Sequence, residues 1–318
     1  MSFNIEYIGT SHGSSVGVIA SGLPAGEAVD VDELQAFLRR RSPGTSSTVS
    51  ARTEPDEPII KSGITNGVTD GDPLEIEILN VDVKDDDYSD LRDIPRPGHA
   101  DYTAYVKYGS DYDMTGGGQF SGRLTAPLCA LGGICLQVLK RRNISISASI
   151  VKTGNVDDAI SHGDSVGGII ECQIDGLPAG IGGPFASGLE SRLASALFAI
   201  PAVKGVEFGA GFSIADLRGS ECNDEYVISN GQVKTKTNNC GGILGGISNG
   251  MPIVFRVAFK PTPSISLPQQ SVNLKTMEEV TINIKGRHDP CIALRSAPIV
   301  EAASAICLTE ILSEEDKL

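Results

Sequence analysis

The chain has 318 residues, 40% of them hydrophobic and 21% charged, and its formal net charge is −14. That length exceeds a usual single domain and supplies a sizeable core, while the acidic excess repels nucleic acid and anionic membranes, so an anionic ligand would need a local basic cluster. No run approaches eighteen unbroken apolar residues, the N-terminus lacks a secretory pattern, and seven scattered cysteines form no CxxC pair; a cytoplasmic chain with reduced thiols and no membrane or nucleic-acid partner is expected.

Residues Val31 to Arg41 place Leu34, Phe37 and Leu38 on one helical face, with Asp30 or Asp32 as the N-cap. Ile59-Ile60 and Leu74 to Leu79 read as short strands around a turn-rich segment. From Asn80 to Gly118 the chain is polar and without periodicity, opening on the acidic run at 82–87 and then carrying Arg96-Pro97-Gly98-His99-Ala100-Asp101-Tyr102. An irregular stretch that long in a compact domain is commonly functional, and its histidine-bearing part is the better candidate. Ser121 to Val138 reads as a buried helix and Leu189 to Ile200 as another; Ile144 to Val151, Ile253 to Phe259 and Val280 to Ile284 read as strands. Strands joined by irregular connections predict an α+β layered fold rather than a doubly wound parallel sheet. Gly209-Ala210-Gly211 is a lone GxG and gives no dinucleotide fold.

The chain also repeats itself. Gly22-Leu23-Pro24-Ala25-Gly26 recurs as Gly176-Leu177-Pro178-Ala179-Gly180, and the glycine-rich segment at 63–74 recurs at 242–253. Ala126-Pro127-Leu128 echoes Ala297-Pro298-Ile299, each inside an alanine-rich helical stretch. Two similar halves, about 1–142 and 143–318, sharing one core and ending in a short polar tail at 312–318, are expected.

Of the four histidines, His12, His99 and His288 lie in turn-like settings rich in Gly, Ser or Pro, which favours proton transfer or anion contact; His162, in Ser161-His162-Gly163-Asp164, reads as an exposed turn. No HxH or HExxH spacing occurs, so no metal site is expected. Arg39-Arg40-Arg41 ends a helix, and Arg52, Arg96, Lys107, Arg123, Lys260 and Arg287 lie in or beside irregular segments; together they suit a phosphate or carboxylate pocket. Gly116-Gly117-Gly118 precedes a helix and would let a ligand approach backbone N–H groups.

Taken together, these segments resemble the chorismate synthase family across nearly the whole chain. The resemblance rests on Gly9-Thr10-Ser11-His12-Gly13, Arg39-Arg40-Arg41 with Pro43-Gly44-Thr45-Ser46, and Ser62-Gly63. It continues through residues 96–102, Gly116-Gly117-Gly118, the glycine-rich run at 241–248, Lys260-Pro261-Thr262-Pro263-Ser264 and Arg287-His288-Asp289-Pro290-Cys291. It implies a β-α-β sandwich assembled as a homotetramer, and a lyase in aromatic amino acid biosynthesis. The implied reaction is anti-1,4-elimination of phosphate from 5-enolpyruvylshikimate 3-phosphate, giving chorismate with reduced FMN and no net redox change.

On the same resemblance, His12 protonates the reduced flavin and His99 assists the departing phosphate. Asp289, with Ser11 and Ser121, helps the flavin accept the C6 proton. FMN contacts fall on Gln119, Phe120, Ser121, Pro201, Ala202, Gly245, Lys260, Pro261, Thr262, Pro263, Ser264 and Arg287. Substrate or NADP contacts fall on Arg41 or Arg40, Ser47 and Arg52. NADPH or an external flavin reductase supplies the electrons; the short chain, lacking a helical insertion near Asn155 to Asp164, favours the external route. Thr10, Ser47, Gln119-Phe120, Leu124 and Pro201 depart from the family pattern. Ser47 and Gln119 motivate a competing reading, an inactive paralogue that binds flavin or a phosphorylated acid, and a metal phosphohydrolase using His288 and Asp289 is a third.

Overall fold

A computed structural model describes residues 3–43, 54–82, 93–110, 112, 115–284 and 289–318. Its first half runs β1 (Asn4–Gly9), β2 (Ser15–Ser21), α1 (Val31–Arg41), β3 (Ile59–Ser62), β4 (Ile64–Thr65), β5 (Val68–Thr69), β6 (Leu74–Leu79), α2 (Asp101–Tyr108) and α3 (Thr125–Lys140). The second half begins β7 (Ser145–Thr153), α4 (Val156–His162), β8 (Gly168–Asp175), α5 (Leu189–Phe198), β9 (Val203–Phe208) and α6 (Gly219–Cys222). It continues with β10 (Tyr226–Ser229), β11 (Gln232–Thr235), β12 (Ile243–Leu244), β13 (Ile247–Ser248), β14 (Ile253–Phe259), β15 (Gln269–Asn273), β16 (Glu278–Ile282) and α7 (Ala297–Glu314).

Two four-stranded sheets form, ordered β1-β2-β6-β3 and β7-β8-β14-β9, and every pairing in them is antiparallel. In each half a tight hairpin (β4–β5 or β12–β13) precedes an inner strand. Alternation explains why one face of each sheet is buried. Leu74, Ile76 and Ile78 point inward from β6 between the less buried Glu75 and Glu77, and Ile253, Phe255, Val257 and Phe259 point inward from β14. Helix α3 packs on β2 and β6, α7 on β7 and β8, and the two helices pack on each other. The result is an α+β fold, a helical layer between two sheets.

Closeness in that layer depends on small residues. A Cβ built at Gly132 of α3 would lie 2.3 Å from the Ala302 Cβ of α7. Helix α7 is buried on all sides from Pro298 to Thr309, as its predominantly apolar sequence there requires. Its one deeply buried charge, Glu301, accepts from Arg40 at 2.6 and 2.8 Å and from the Ala148 N–H at 2.8 Å. Helix α1 starts at Asp30, whose side chain accepts from the Glu33 N–H at 3.0 Å, and it packs against α3 and α7.

Three local expectations change, at α2, at position 312 and at His162. The polar stretch at 80–118 contains the helix α2, which buries only Ala104 and therefore shows no apolar stripe in its sequence. Position 312 does not begin a tail: Leu312 is buried in α7, and beyond it Lys317 Nζ donates to the Gly180 carbonyl at 3.0 Å. The buried helix expected at Ser121 to Val138 is present: Gly122 to Lys140 is long and apolar enough to cross a membrane, and most of it is buried within the protein. His162 ends α4 rather than sitting in a turn. All seven cysteines are free thiols, five of them buried.

Candidate active site

Loops from both halves converge on a cavity of about 530 Å³. The turn after β1 brings His12, the end of α1 brings Arg41 and Pro43, and the loop before α2 brings Arg96, Gly98 and His99. Turns of 3-10 helix before α3 add Gln119, Phe120, Ser121 and Arg123. From the second half come Phe198 to Lys204, between α5 and β9, then Lys260, Thr262, Pro263 and Ser264 after β14, and Asp289 and Arg295 before α7.

Its floor is an ion cluster. Asp56 receives the Nη1 groups of both Arg41 and Arg123, together with Ser42 Oγ at 2.8 Å. Burial pushes the Asp56 carboxyl up, but Arg41, Arg123 and Ser42 outweigh it, so it lies below the usual carboxylate range. Arg123 also donates from Nε to Asn80 Oδ1 at 2.7 Å, and Asn80 Nδ2 donates to the carbonyls of Thr10 and Gly13 at 3.1 and 2.8 Å. Asn80 thus ties the His12 turn to the arginine floor. Ser11 is fully buried beside it, with Oγ 3.0 Å from His12 Nδ1.

Asp101 holds the side chains of Arg96 and His99. It accepts from Arg96 Nε at 2.7 Å and Nη2 at 2.8 Å, and its Oδ1 lies 2.6 Å from His99 Nδ1. Although burial raises the Asp101 carboxyl, its bonds to Arg96 and His99 lower it more, leaving it well below the ordinary range. Lys260 Nζ donates to the Gly98 carbonyl, clamping the His99 loop to the end of β14. Burial pulls the Lys260 ammonium below its ordinary value, and Lys204 adds to that shift. The β15–β16 hairpin steadies the same loop, with the Leu274 N–H donating to the Asp93 carbonyl at 2.9 Å. Asp289 pairs with Arg295, whose Nη2 donates to Oδ2 at 2.6 Å, and Thr262 Oγ1 donates to the Asp289 carbonyl at 2.6 Å.

Arg41, Arg96, Arg123, Lys204, Lys260 and Arg295 line the cavity with Glu54 and Asp289, and Asp56 and Asp101 sit against the arginines, so cationic side chains outnumber carboxylates among the described residues there. In a chain of net charge −14, that local excess of positive charge suits an anionic ligand. Among the described residues no group of three His, Cys, Asp or Glu side chains could hold a metal.

The chorismate synthase family model matches residues 3–161 and 154–312. The chain belongs to the chorismate synthase family. It is 47% identical over 335 residues to the chorismate synthase of Pyrococcus abyssi (strain GE5 / Orsay), covering 96% of this chain and 94% of that one. With that of Chitinophaga pinensis it shares 45% over 322 residues, covering 99% and 96%. A solved crystal structure of a chorismate synthase superposes with a TM-score of 0.78 at 26% identity, covering 99% of this chain and 93% of that one.

Of the residues that resemblance to the chorismate synthase family singled out, His12, His99, Asp289, Ser121, Gln119, Phe120, Pro201, Ala202, Lys260, Thr262, Pro263, Ser264 and Arg41 meet at the cavity. Ser11, buried beside His12, and Pro261, which is exposed, do not line it. Gly245 is elsewhere: it turns the β12–β13 hairpin, which packs beside Gly183 and Gly188. Arg40 points away from the cavity into Glu301, so of the two arginines Arg41 is the one that reaches it. Lys107, on exposed α2, does not line it. Ser47, Arg52, Arg287 and His288 lie outside the described residues. Sequence reasoning missed Asp56, Asn80 and Arg295. Only Arg295 carried a signal, six residues beyond Asp289 at the start of an apolar helix; Asp56 sits in the unpatterned run Glu54-Pro55-Asp56-Glu57-Pro58.

Proposed function

We propose that this chain eliminates phosphate from 5-enolpyruvylshikimate 3-phosphate in the anti-1,4 sense to give chorismate, using reduced FMN bound in the same cavity. The observation that carries the reading is the convergence of His12, His99 and six cationic side chains on one cavity in an acidic protein. In this reaction the carbon–oxygen bond to phosphate breaks, C6 gives up a proton, and the electron pairs shift through the ring to leave a diene.

The residues present suit the cofactor. Phe198, Ile200, Pro201, Ala202 and Phe259 offer an apolar wall for a planar ring, while Ser121, Lys260, Thr262 and Ser264 offer donors and acceptors for its polar edges. When bound, reduced flavin supplies electron density that no side chain provides. Arg41, Arg96 and Arg123 hold the phosphate and carboxylate groups, and their charge offsets what develops on the leaving group. His99 donates a proton to the departing phosphate. His12, braced by Ser11, holds a proton on the flavin side, and Asp289, fixed by Arg295, serves with Ser11 and Ser121 on the path of the C6 proton.

On this reading electrons reach the flavin from NADPH or through an external reductase, and the working particle is a cytoplasmic homotetramer. Strongly exposed Phe185, Phe212 and Ile228 support association. Anaerobic assay with dithionite-reduced FMN, with and without chelator, tests the proposal. Chorismate formed equally in both is expected. Phosphate released without chorismate, or flavin bound without turnover, would overturn it.

A further inference from the structure

His99 owes its orientation to a carboxylate two residues away. Among the described residues Nδ1 has two polar neighbours, Asp101 Oδ1 at 2.6 Å and Arg96 Nη2 at 3.1 Å. Only one of them accepts a proton. The shorter contact is to the carboxylate, so Nδ1 carries hydrogen and donates it to Asp101, and Arg96 spends its own donors on the same carboxylate from Nε, Nη2 and the backbone N–H. The other edge of the ring faces Gly117, where a Cβ would come within 3.2 Å of both Cε1 and Nε2. Gly117 has φ +99°, and its lack of a side chain leaves that edge clear. Among the described residues the other charge fixed at this loop is Lys260, bound to the Gly98 carbonyl.

We propose that Asp101 is the positioning residue for His99: its carboxylate, itself locked by Arg96, anchors Nδ1–H in the neutral ring and in the imidazolium alike, so that Nε2 is the atom that takes up a proton and, from the imidazolium, gives it to the cavity. The assignment of that proton to the leaving phosphate rests on the function proposed above; the anchoring does not. The geometry also says what happens without the carboxylate. With Asp101 replaced by Asn, Arg96 is released and its Nη2, already 3.1 Å from Nδ1, is free to donate there. Nδ1 then becomes an acceptor, and the neutral ring moves its proton to Nε2.

Nitrogen-15 NMR of labelled histidine, with the protein free of ligand and the rings neutral, reads this directly. Assigned by its loss in His99→Ala, the wild-type His99 signal should show the proton on Nδ1. Asp101→Asn should show it on Nε2, and Asp101→Glu should restore the wild-type pattern at least in part. In steady state, Asp101→Asn should lower kcat by about 10–100-fold with KM changed by less than about threefold, since the imidazolium that gives up the Nε2 proton loses the carboxylate that holds it, an effect on proton transfer rather than on binding. A wild-type ring protonated on Nε2 would overturn the proposal even if the variant failed to fold. So would a folded Asp101→Asn protein with an unchanged ring pattern. The ring pattern is read without turnover, so it stands apart from the functional reading, which fails if His99→Ala leaves chorismate formation intact.

Discussion

His12, His99 and His162 carry the same imidazole into three different surroundings. The first two line the cavity, whereas the third is 68% exposed at the end of α4, with Nδ1 2.8 Å from the Asp158 carbonyl oxygen. His12→Ala and His99→Ala should each lower turnover by about 10²–10⁴-fold, the usual contribution of a general acid, with circular dichroism unchanged. His162→Ala should match the wild type; a loss comparable to the other two in a folded protein would show the site to be misplaced. Asp56 makes a stability prediction instead. Its folded carboxyl lies below the ordinary value, so its stabilising contribution is complete above about pH 3.9 and is lost as pH falls through the lowered folded value. Asp56→Asn, which leaves Arg41 and Arg123 without their shared counter-charge, should cost about 3–5 kcal/mol at neutral pH. Denaturant titrations of both proteins should converge in strong acid; a constant difference down to pH 2 would contradict the ion-cluster account.

Between elements, the contact of α3 with α7 is the tightest test of packing. Replacing Gly132 by Ala adds helix propensity of about 1 kcal/mol. It also places a Cβ 2.3 Å from the Ala302 Cβ and 2.5 Å from its Cα, where backbone must yield. Because two long core helices would have to separate, the overpacking should win, with a net loss of about 1–3 kcal/mol of stability, read as a lowered denaturant midpoint. An unchanged or raised midpoint would mean the layer is looser than described. Legibility at this scale follows burial. The stripe of Leu34, Phe37 and Leu38 and the alternation of Leu74, Ile76 and Ile78 showed α1 and β6 because one face of each is buried. Helix α2 has no such face, and its N-cap residue Ala100 makes no side-chain cap bond, so neither signal was there to read.

For the whole molecule, the governing contrast is an acidic chain around a basic cavity. Inorganic phosphate should therefore raise the melting temperature above that in chloride of equal ionic strength, through binding to the native state, and added salt should erode the gain. Equal melting in the two anions would remove the basis for reading the cavity as a phosphate site. The two sheets, with their matching strand orders, explain why the cavity needs both halves: the arginine floor comes from the first, and the Lys260 and Asp289 walls come from the second.

By itself the sequence determined which segments are strands or helices wherever burial is one-sided, that the chain repeats, and which short turns carry histidine and glycine. Those are local properties, fixed by periodicity and by backbone demands within a few residues. Tertiary structure alone decided the partners. Asp56 meets Arg41 across 15 residues and Arg123 across 67, and Arg40 meets Glu301 across 261. Neighbouring arginines on one helix differ by about 100° around its axis. That step turns Arg40 toward α7 and Arg41 into the cavity floor, and only the packing of α1 in the helical layer says which side is which.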